Sequence, residues 1–281
     1  MAAGDLITLP WQVELNGLLM GAGTVYVVRE FGPWVAPEVR PGESARAQSS
    51  GVFAGRDWLG VRLVSAGLSV LAATDPLEQA ARRTLAAAWQ PNGDGVVSQL
   101  VWMEDDGVKY LLNGKPRLAD TALEVRLPTE CRFVATDPRI FAASLSTAST
   151  TPPSGASGLT FNVTGNLSFG GAITGGSMPV VNAGLVATPW VATFTGPLTD
   201  PRIEHVEQSA TIGFTGGLAA GETLVVDSQA RTVLLNGTAS RYSWLTTTSR
   251  WFDLAAGSQT VNVRAAAGSG NVQLAWRSAW L

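Results

Sequence analysis

Two residue types that serve much of enzyme chemistry occur once each in this chain of 281 residues. Cys131 is the only cysteine and His205 is the only histidine. An internal disulfide, a Cys2His2-type zinc site, a His-rich metal centre and a two-histidine acid–base pair each need more of these residues than the chain has. The sequence therefore predicts no metal site and no cofactor, and it favours a surface position for His205.

Acidic residues offer a remaining route to catalysis. A glycosidase needs two carboxylates roughly 5 to 10 Å apart, and two pairs are close in sequence: Glu204 with Glu207, and Asp105 with Asp106. Neither pair alternates onto one strand face beside aromatic residues, which favours solvated charges in turns. A wall-degrading hydrolase that uses these pairs is the third hypothesis for function, and the prediction preferred over it is that the protein is not an enzyme.

The charge and hydropathy patterns exclude two further classes of partner. The formal net charge is −3 and only 15% of residues are charged, whereas phosphate-backbone binding needs clustered cations. No uninterrupted apolar run approaches the roughly 20 residues of a membrane span, and residues 1–10 lack the pattern of a secretory signal. We expect no specific nucleic-acid binding, no membrane insertion, and assembly in a cytoplasm-like compartment.

Most of the sequence reads as short strands separated by tight turns. Val13 and Leu15 alternate with polar neighbours, as do Val261 and Val263, which is typical of half-buried strands. Asn-Gly at 16–17, 113–114 and 236–237, and Asp-Gly at 106–107, predict hairpin turns because these residues accept positive φ angles. The turn at 236–237 is expected to join strands at 224–226 and 233–235.

One segment, 76–89, has helical periodicity instead. Leu77, Ala80, Ala81, Leu85, Ala88 and Trp89 fall on one stripe. Asp75 is the expected N-cap, with Pro76 at the first helical position and Glu78 completing a capping box. The fold class is therefore mainly β, with one α-helix in the N-terminal part.

Composition divides the chain into two domains. Residues 142–158 are Ala, Ser, Thr, Pro and Gly except for Leu145, a composition typical of a linker. The sequence thus predicts a mixed β domain with one helix over 1–141, a linker over 142–158, and an antiparallel β-sandwich over 159–281, whose strands are spaced 8 to 12 residues apart.

The ten tryptophans have two interpretations, as sugar-stacking platforms or as anchors of cores and interfaces. Trp276 and Trp280 follow the apolar alternation of the last strand and are expected in the core. Trp11, Trp34 and Trp58 lie near turns and are candidate subunit contacts. In the alternative function, a carbohydrate-binding module for host cell-wall glycan, the C-terminal sandwich would present Trp190, Trp244 and Trp251.

The order of several motifs resembles the distal tail proteins of long-tailed siphophages, and among these the actinobacterial versions often called minor tail proteins. The N-terminal motifs are GRDWLGVRL at 55–63, the helix from Asp75, and FVATDPRIF at 133–141, followed by the Ser/Thr-rich linker. The C-terminal motifs are DPRI at 200–203, LAAGETLVVD at 218–227, RTVLLNG at 231–237, WFDLAAG at 251–257, and WRSAW at 276–280.

This resemblance implies a structural protein of the virion, located at the phage tail tip. The N-terminal domains would form the belt of a hexameric ring, and a galectin-like C-terminal sandwich would project outward. The implied partners are further copies of the chain, the tail tube protein, the tail hub or tail-associated protein, and other minor tail or receptor-binding proteins. Cyclic rings use head-to-tail interfaces that must close.

Overall fold

The structure, a computed structural model, describes residues 3–93, 95–118, 129–153 and 175–281. The chain forms two compact units, the first comprising Met1–Ser144 with Trp280–Leu281 and the second Leu145–Ala279. Their boundary falls inside the segment 142–158, where Ser146–Thr150 forms a strand of the second unit. Residues 154–158 of that segment lie outside the described residues. The predicted mainly β fold class is confirmed.

The first unit is built on one antiparallel sheet and a helix. Its elements are β1 (Val13–Leu15), β2 (Leu18–Met20), β3 (Tyr26–Phe31), β4 (Val39–Arg40), β5 (Ser44–Ala45), β6 (Val52–Phe53), β7 (Trp58–Leu59), β8 (Arg62–Val70), α1 (Asp75–Ala88), β9 (Ser98–Met103), β10 (Lys109–Leu118), β11 (Thr129–Ala135) and β12 (Ile140–Ala142). The sheet order is β2-β1-β9-β10-β11-β8-β3, with β12 beside β10. Strands β4 and β7 form one separate two-stranded ladder, and β5 and β6 form another.

The second unit is an antiparallel sandwich. Its elements are β13 (Ser146–Thr150), β14 (Ser177–Asn182), β15 (Trp190–Thr195), β16 (Leu198–Thr199), β17 (Arg202–His205), β18 (Ala210–Gly213), β19 (Gly217–Leu218), β20 (Thr223–Asp227), β21 (Thr232–Leu235), β22 (Ala239–Ser240), the 3-10 turn Tyr242–Trp244, β23 (Gly257–Arg264) and β24 (Asn271–Trp276). The last strand, β25 (Ala279–Trp280), has one residue in each unit. Sheets β13-β24-β15-β20-β21-β22 and β14-β23-β17-β18 enclose one hydrophobic core.

The helix forms where periodicity predicts it, but its N-cap differs. Thr74 is the N-cap, and its side chain makes no capping hydrogen bond. Its carbonyl oxygen instead accepts the N–H of Glu78 (2.9 Å). The Glu78 carboxylate binds Arg82 one turn later, at 2.9 Å. The predicted capping box is therefore wrong, because that carboxylate is occupied by the i,i+4 ion pair.

The buried stripe of α1 is narrower than the predicted one. Leu85, Ala88 and Trp89 join the core of the first unit, whereas Leu77 is 58% exposed. The side-chain amide of Asn16 donates to the Ala88 carbonyl oxygen (2.8 Å). The β1–β2 turn therefore satisfies one of the last helical carbonyl groups.

Three of the four predicted turns form where the sequence places them. Residues 16–17 join β1 to β2 with φ angles of 50° and 78°, and residues 106–107 lie between β9 and β10, with Gly107 at φ 78°. Residues 236–237 also form a turn, with φ angles of 50° and 74°, but they join β21 to β22. The expected hairpin between 224–226 and 233–235 exists and is closed by residues 228–231.

Gly114 lies inside a strand, so the predicted turn at 113–114 is wrong. It pairs with Ser98 on β9 and with Ala135 on β11. A Cβ built on Gly114 would lie 2.3 Å from the Val134 carbonyl oxygen. Glycine is required here because the neighbouring backbone approaches closely, which is the other common reason for glycine within a sheet.

Candidate assembly surface

Carboxylates of the acidic pairs that the sequence suggests for catalysis take part in structural contacts. Glu204 binds the Arg202 guanidinium at 2.7 Å. Asp105 accepts the Trp11 indole N–H at 2.8 Å, and Asp106 accepts the backbone N–H of Val108 at 2.9 Å within its turn. These carboxylates therefore stabilise strands and turns.

His205 is buried, and its expected surface position is wrong. Its side chain lies on the inner face of β17 with 1% exposure, beside the Phe252 ring at 5.2 Å. Its Nδ1 accepts the backbone N–H of Gln208 (3.2 Å), and its Nε2 is hydrogen-bonded to Gln259 Oε1. Alternation on a strand whose Ile203 faces the core brings His205 inward as well.

The only cysteine is also withdrawn from solvent. Cys131 is fully buried on β11, and burial followed by the nearby Glu130 carboxylate raises the pKa of its thiol to about 12. Among the described residues, no cluster of three or more His, Cys, Asp or Glu side chains has a geometry suited to a metal ion. No helix in the described part of the chain has the length and apolar character needed to cross a membrane.

Exposed hydrophobic side chains are concentrated in the first unit. The described part of the second unit contains only five large ones: Leu145, Val181, Leu185, Val206 and Tyr242. The first unit contains all the others, including the three candidate contact residues Trp11, Trp34 and Trp58, which are 45%, 39% and 54% exposed. This uneven distribution makes the first unit the better candidate for an interaction surface.

Residues 38–59 form a projecting segment, here called the arm. Every one of these residues is exposed, and the two-stranded β4–β7 and β5–β6 ladders provide its regular structure. Within it, the Arg56 guanidinium lies 4.3 Å from the Trp58 ring centroid, and Arg46 lies 5.2 Å from the Phe53 ring centroid. These contacts order the exposed aromatic rings without burying them.

An aromatic cluster lies at the base of the arm. The Trp34 ring packs edge-on against Tyr110 at 5.3 Å and against the buried Trp102 at 6.5 Å. The Glu104 carboxylate accepts the indole N–H groups of both Trp34 and Trp102. Trp280 completes the cluster, with its ring 5.3 Å from Tyr110. These contacts fix the position of the Trp34 ring while part of it stays exposed.

Arg62 fixes the point where the chain leaves the arm. It is fully buried, and it donates hydrogen bonds to the carbonyl oxygens of Pro33, Val35 and Pro138. Its Nη2 has no hydrogen-bond partner among the described residues. Burial lowers the pKa of the guanidinium. One side chain therefore ties together the segments on both sides of the arm.

The tryptophans proposed to face glycan occupy different positions. Trp190 is 1% exposed, and its indole N–H donates to the Phe252 carbonyl oxygen at 3.0 Å. This burial corrects its proposed role, because the ring presents no face for a sugar. Trp244 and Trp251 are half-buried against the sandwich core. The backbone of Gly216 lies against the Trp244 ring.

Comparisons with known proteins found one family model and several solved structures that are similar to this chain. Residues 183–280 match the family described as siphovirus-type tail component, C-terminal domain. No curated protein sequence matches the chain. Among solved structures, the chain is similar to SPP1 Dit (gp 19.1), described as a paradigm of the hub adsorption apparatus in phages that infect Gram-positive bacteria. The TM-score is 0.70 with 13% identity, over 97% of this chain and 100% of that one.

Two structures of the phage p2 baseplate in its activated conformation are also similar at lower scores. The structure with Sr gives a TM-score of 0.47 and 5% identity over 94% of this chain and 97% of that one. The structure with Ca gives 0.46 and 6% identity over 94% and 98%. The likeness to SPP1 Dit shows that the chain has the same overall fold.

Proposed function

From the match of residues 183–280 to the siphovirus-type tail component family, we propose that this chain is a structural protein of the phage tail tip that assembles into a ring. The family match, together with the SPP1 Dit fold, supports the distal tail protein family and indicates a location in the virion tail. The ring, expected to be hexameric, would join the tail tube to the hub and to the receptor-binding apparatus.

The distribution of apolar surface supports this role. A closed ring requires each copy to bury two complementary patches on its neighbours, and each stable interface typically removes roughly 1,600 Å² from solvent. The first unit has the exposed side chains for such burial, and the second unit has few. This asymmetry favours ring formation through the first unit.

Light scattering on the purified full-length chain, with negative-stain images, tests the proposal. We expect a mass about six times the 29.4 kDa of one chain and particles with a central hole. If the chain remains monomeric alone, the same measurement is repeated with the tail tube protein as template. The absence of closed rings in both experiments would refute the ring.

A second candidate function is glycan binding by the sandwich, and it now rests on fewer residues. Tyr242 is 51% exposed, and Trp244, two residues later, retains part of its surface beside Arg241, which lies 5.4 Å from its ring centroid. Loss of cell-wall pull-down in Trp244→Ala and Trp251→Ala, with the fold intact, would support this function. An absence of wild-type binding to host cell wall would eliminate it.

A further inference from the structure

We propose that the arm of one copy docks into a groove beside β3 of the next copy. The groove is defined by Trp11, the turn 21–24 and residues 27–31, and it encloses about 400 Å³. This inference rests on the proposed ring, for which it names the two surfaces that meet. Its test can nevertheless fail or succeed independently of the ring.

The arm has no buried hydrophobic residues that would stabilise it. A two-stranded ribbon alone is at best marginally stable in water, and the arm consists of two such ladders in which every residue from 38 to 59 is exposed. Val52 and Phe53 at its distal strand are 44% and 60% exposed. Since these side chains touch no core of their own chain, covering them requires a second molecule.

The groove has the features of a strand-accepting surface. Strand β3 ends the order of the main sheet, so its outer edge pairs with no strand among the described residues. The Tyr26 carbonyl oxygen points outward to the N–H of Gly21 (2.8 Å). Alternation along the strand then places the N–H and C=O of Val28 on the same outer edge. The turn 21–24 already occupies the outward groups of Tyr26, and a β-bulge follows Val28. The outward groups of Val28 are therefore the ones that a segment of another chain can pair with.

Trp11 lies beside this edge in a fixed conformation. Its φ of 59° lies in the left-handed region, which a bulky residue rarely adopts. Two hydrogen bonds hold it there, from its backbone N–H to the Met103 carbonyl oxygen (2.7 Å) and from its indole to Asp105 (2.8 Å). Backbone strain of this kind concentrates at binding sites. A rigid, exposed indole loses little conformational entropy when it is covered.

Charge also matches the arm to the groove. The distal part of the arm, 44–56, contains Arg46 and Arg56 and no carboxylate. The groove and its rim present the carboxylates of Glu30 and Asp105, while the Arg29 guanidinium is directed toward the Ser69 hydroxyl at 3.4 Å. The arm as a whole is neutral, because Glu38, Glu43 and Asp57 near its base balance its three arginines. Its distal part alone is cationic and meets an acidic rim, an arrangement that steers association and fixes orientation.

One chain thus has both a projection and a recess, which is the requirement for a head-to-tail interface. Contact between two different patches of the same chain repeats around an axis until a ring closes. A twofold contact of arm with arm would leave both grooves empty. The second copy is therefore the occupant that the two surfaces together specify.

Site-directed cross-linking tests the contact. Ala22→Cys places a thiol in the exposed turn of the groove, and Phe53→Cys places one on the arm. The native Cys131 gives little background because it is buried and its thiol pKa is about 12. When the two single variants are mixed with a bis-maleimide reagent, we expect covalent dimers at least about tenfold more abundant than with either variant alone. The double variant is expected to give a ladder of higher oligomers.

The matched control replaces the groove thiol with Leu185→Cys on the second unit, where the side chain is 77% exposed. A yield with Phe53→Cys and Ala22→Cys no greater than with this control would overturn the inference. If light scattering still shows a ring, the proposed function survives that result. If cross-linking succeeds without a closed ring, the contact survives and the ring does not.

Two further variants separate side-chain from backbone contributions. Phe53→Ser removes an exposed ring from the arm, and we expect it to weaken self-association by at least about tenfold, whereas Leu185→Ser has no effect. Val28→Pro removes one outward N–H from β3 and leaves the inner ladder intact, as edge strands permit. Unchanged association in both variants, with normal circular dichroism, would contradict the contact.

Discussion

The substitution Trp190→Ala directly tests how the core of the sandwich is stabilised. Its ring lies 5.0 Å from the Phe252 ring, and its indole N–H satisfies the Phe252 carbonyl group within the core. A fully buried tryptophan changed to alanine costs about 3–5 kcal/mol in packing and cavity. The carbonyl group left without its donor adds about 1–3 kcal/mol.

We therefore expect Trp190→Ala to lower the free energy of unfolding by at least about 4 kcal/mol. Because a typical domain has about 5–15 kcal/mol in total, the second unit would be close to unfolding at room temperature. Trp190→Phe retains an aromatic neighbour for Phe252 and loses mainly the donor, so it should cost about 1–3 kcal/mol. The half-buried Trp251→Ala is expected to cost less than Trp190→Ala.

Urea titration followed by near-ultraviolet circular dichroism measures these differences through the midpoint at constant slope. A change in slope would indicate that the substitution altered the unfolded or native state more broadly. The reasoning is refuted if the free energy of unfolding of Trp190→Ala lies within about 1 kcal/mol of that of the parent protein. Removing a fully buried ring from a core should cost more than that.

Three further predictions follow from buried or hydrogen-bonded polar groups. Cys131 should resist maleimide near neutral pH in the native protein and react fully in denaturant; mass spectrometry showing rapid native labelling would contradict its burial. The pKa of Glu207 is lowered by hydrogen bonds from its own backbone and then from Thr260. Its stabilisation is therefore present above the ordinary glutamate pKa of about 4.3 and is lost as pH falls through the lower folded value. Glu207→Gln should flatten that acid loss in thermal melts, and an unchanged pH profile would argue against it. Arg62→Met leaves three carbonyl groups without their donor and should cost at least about 3 kcal/mol; unchanged urea stability and unchanged proteolysis at the base of the arm would disprove that role.

Local patterns in the sequence were sufficient for much of the first unit. The dipeptide at 16–17 adopts positive φ angles because its own residues tolerate them, and the periodicity of 76–89 produces a helix that begins within one residue of the predicted start. Gly114 shows where such reasoning stops. The need for glycine is dictated by β11, where Val134 lies twenty residues away in sequence but its carbonyl oxygen would be 2.3 Å from a Cβ at position 114.

The tryptophans also show which features of the candidate site local sequence cannot determine. Trp11 and Trp190 both follow a proline, yet one is 45% exposed and the other 1% exposed. No local signal separates them, because burial depends on which distant strand or sheet covers the ring. A sign of the proposed arm contact was nevertheless accessible in sequence: the run 38–59 combines apolar residues with Pro, Gly and Ser and has no long strand pattern.

By itself the sequence determined the chemistry available to this protein and the places where its backbone turns, because residue types and turn conformations are properties of a few neighbouring residues. The tertiary structure alone decided that His205 and Trp190 face a core, that Trp280 packs in the first unit, and that the arm stands free. These outcomes depend on pairing between strands far apart in the chain, since the area removed from water is fixed only when two surfaces meet.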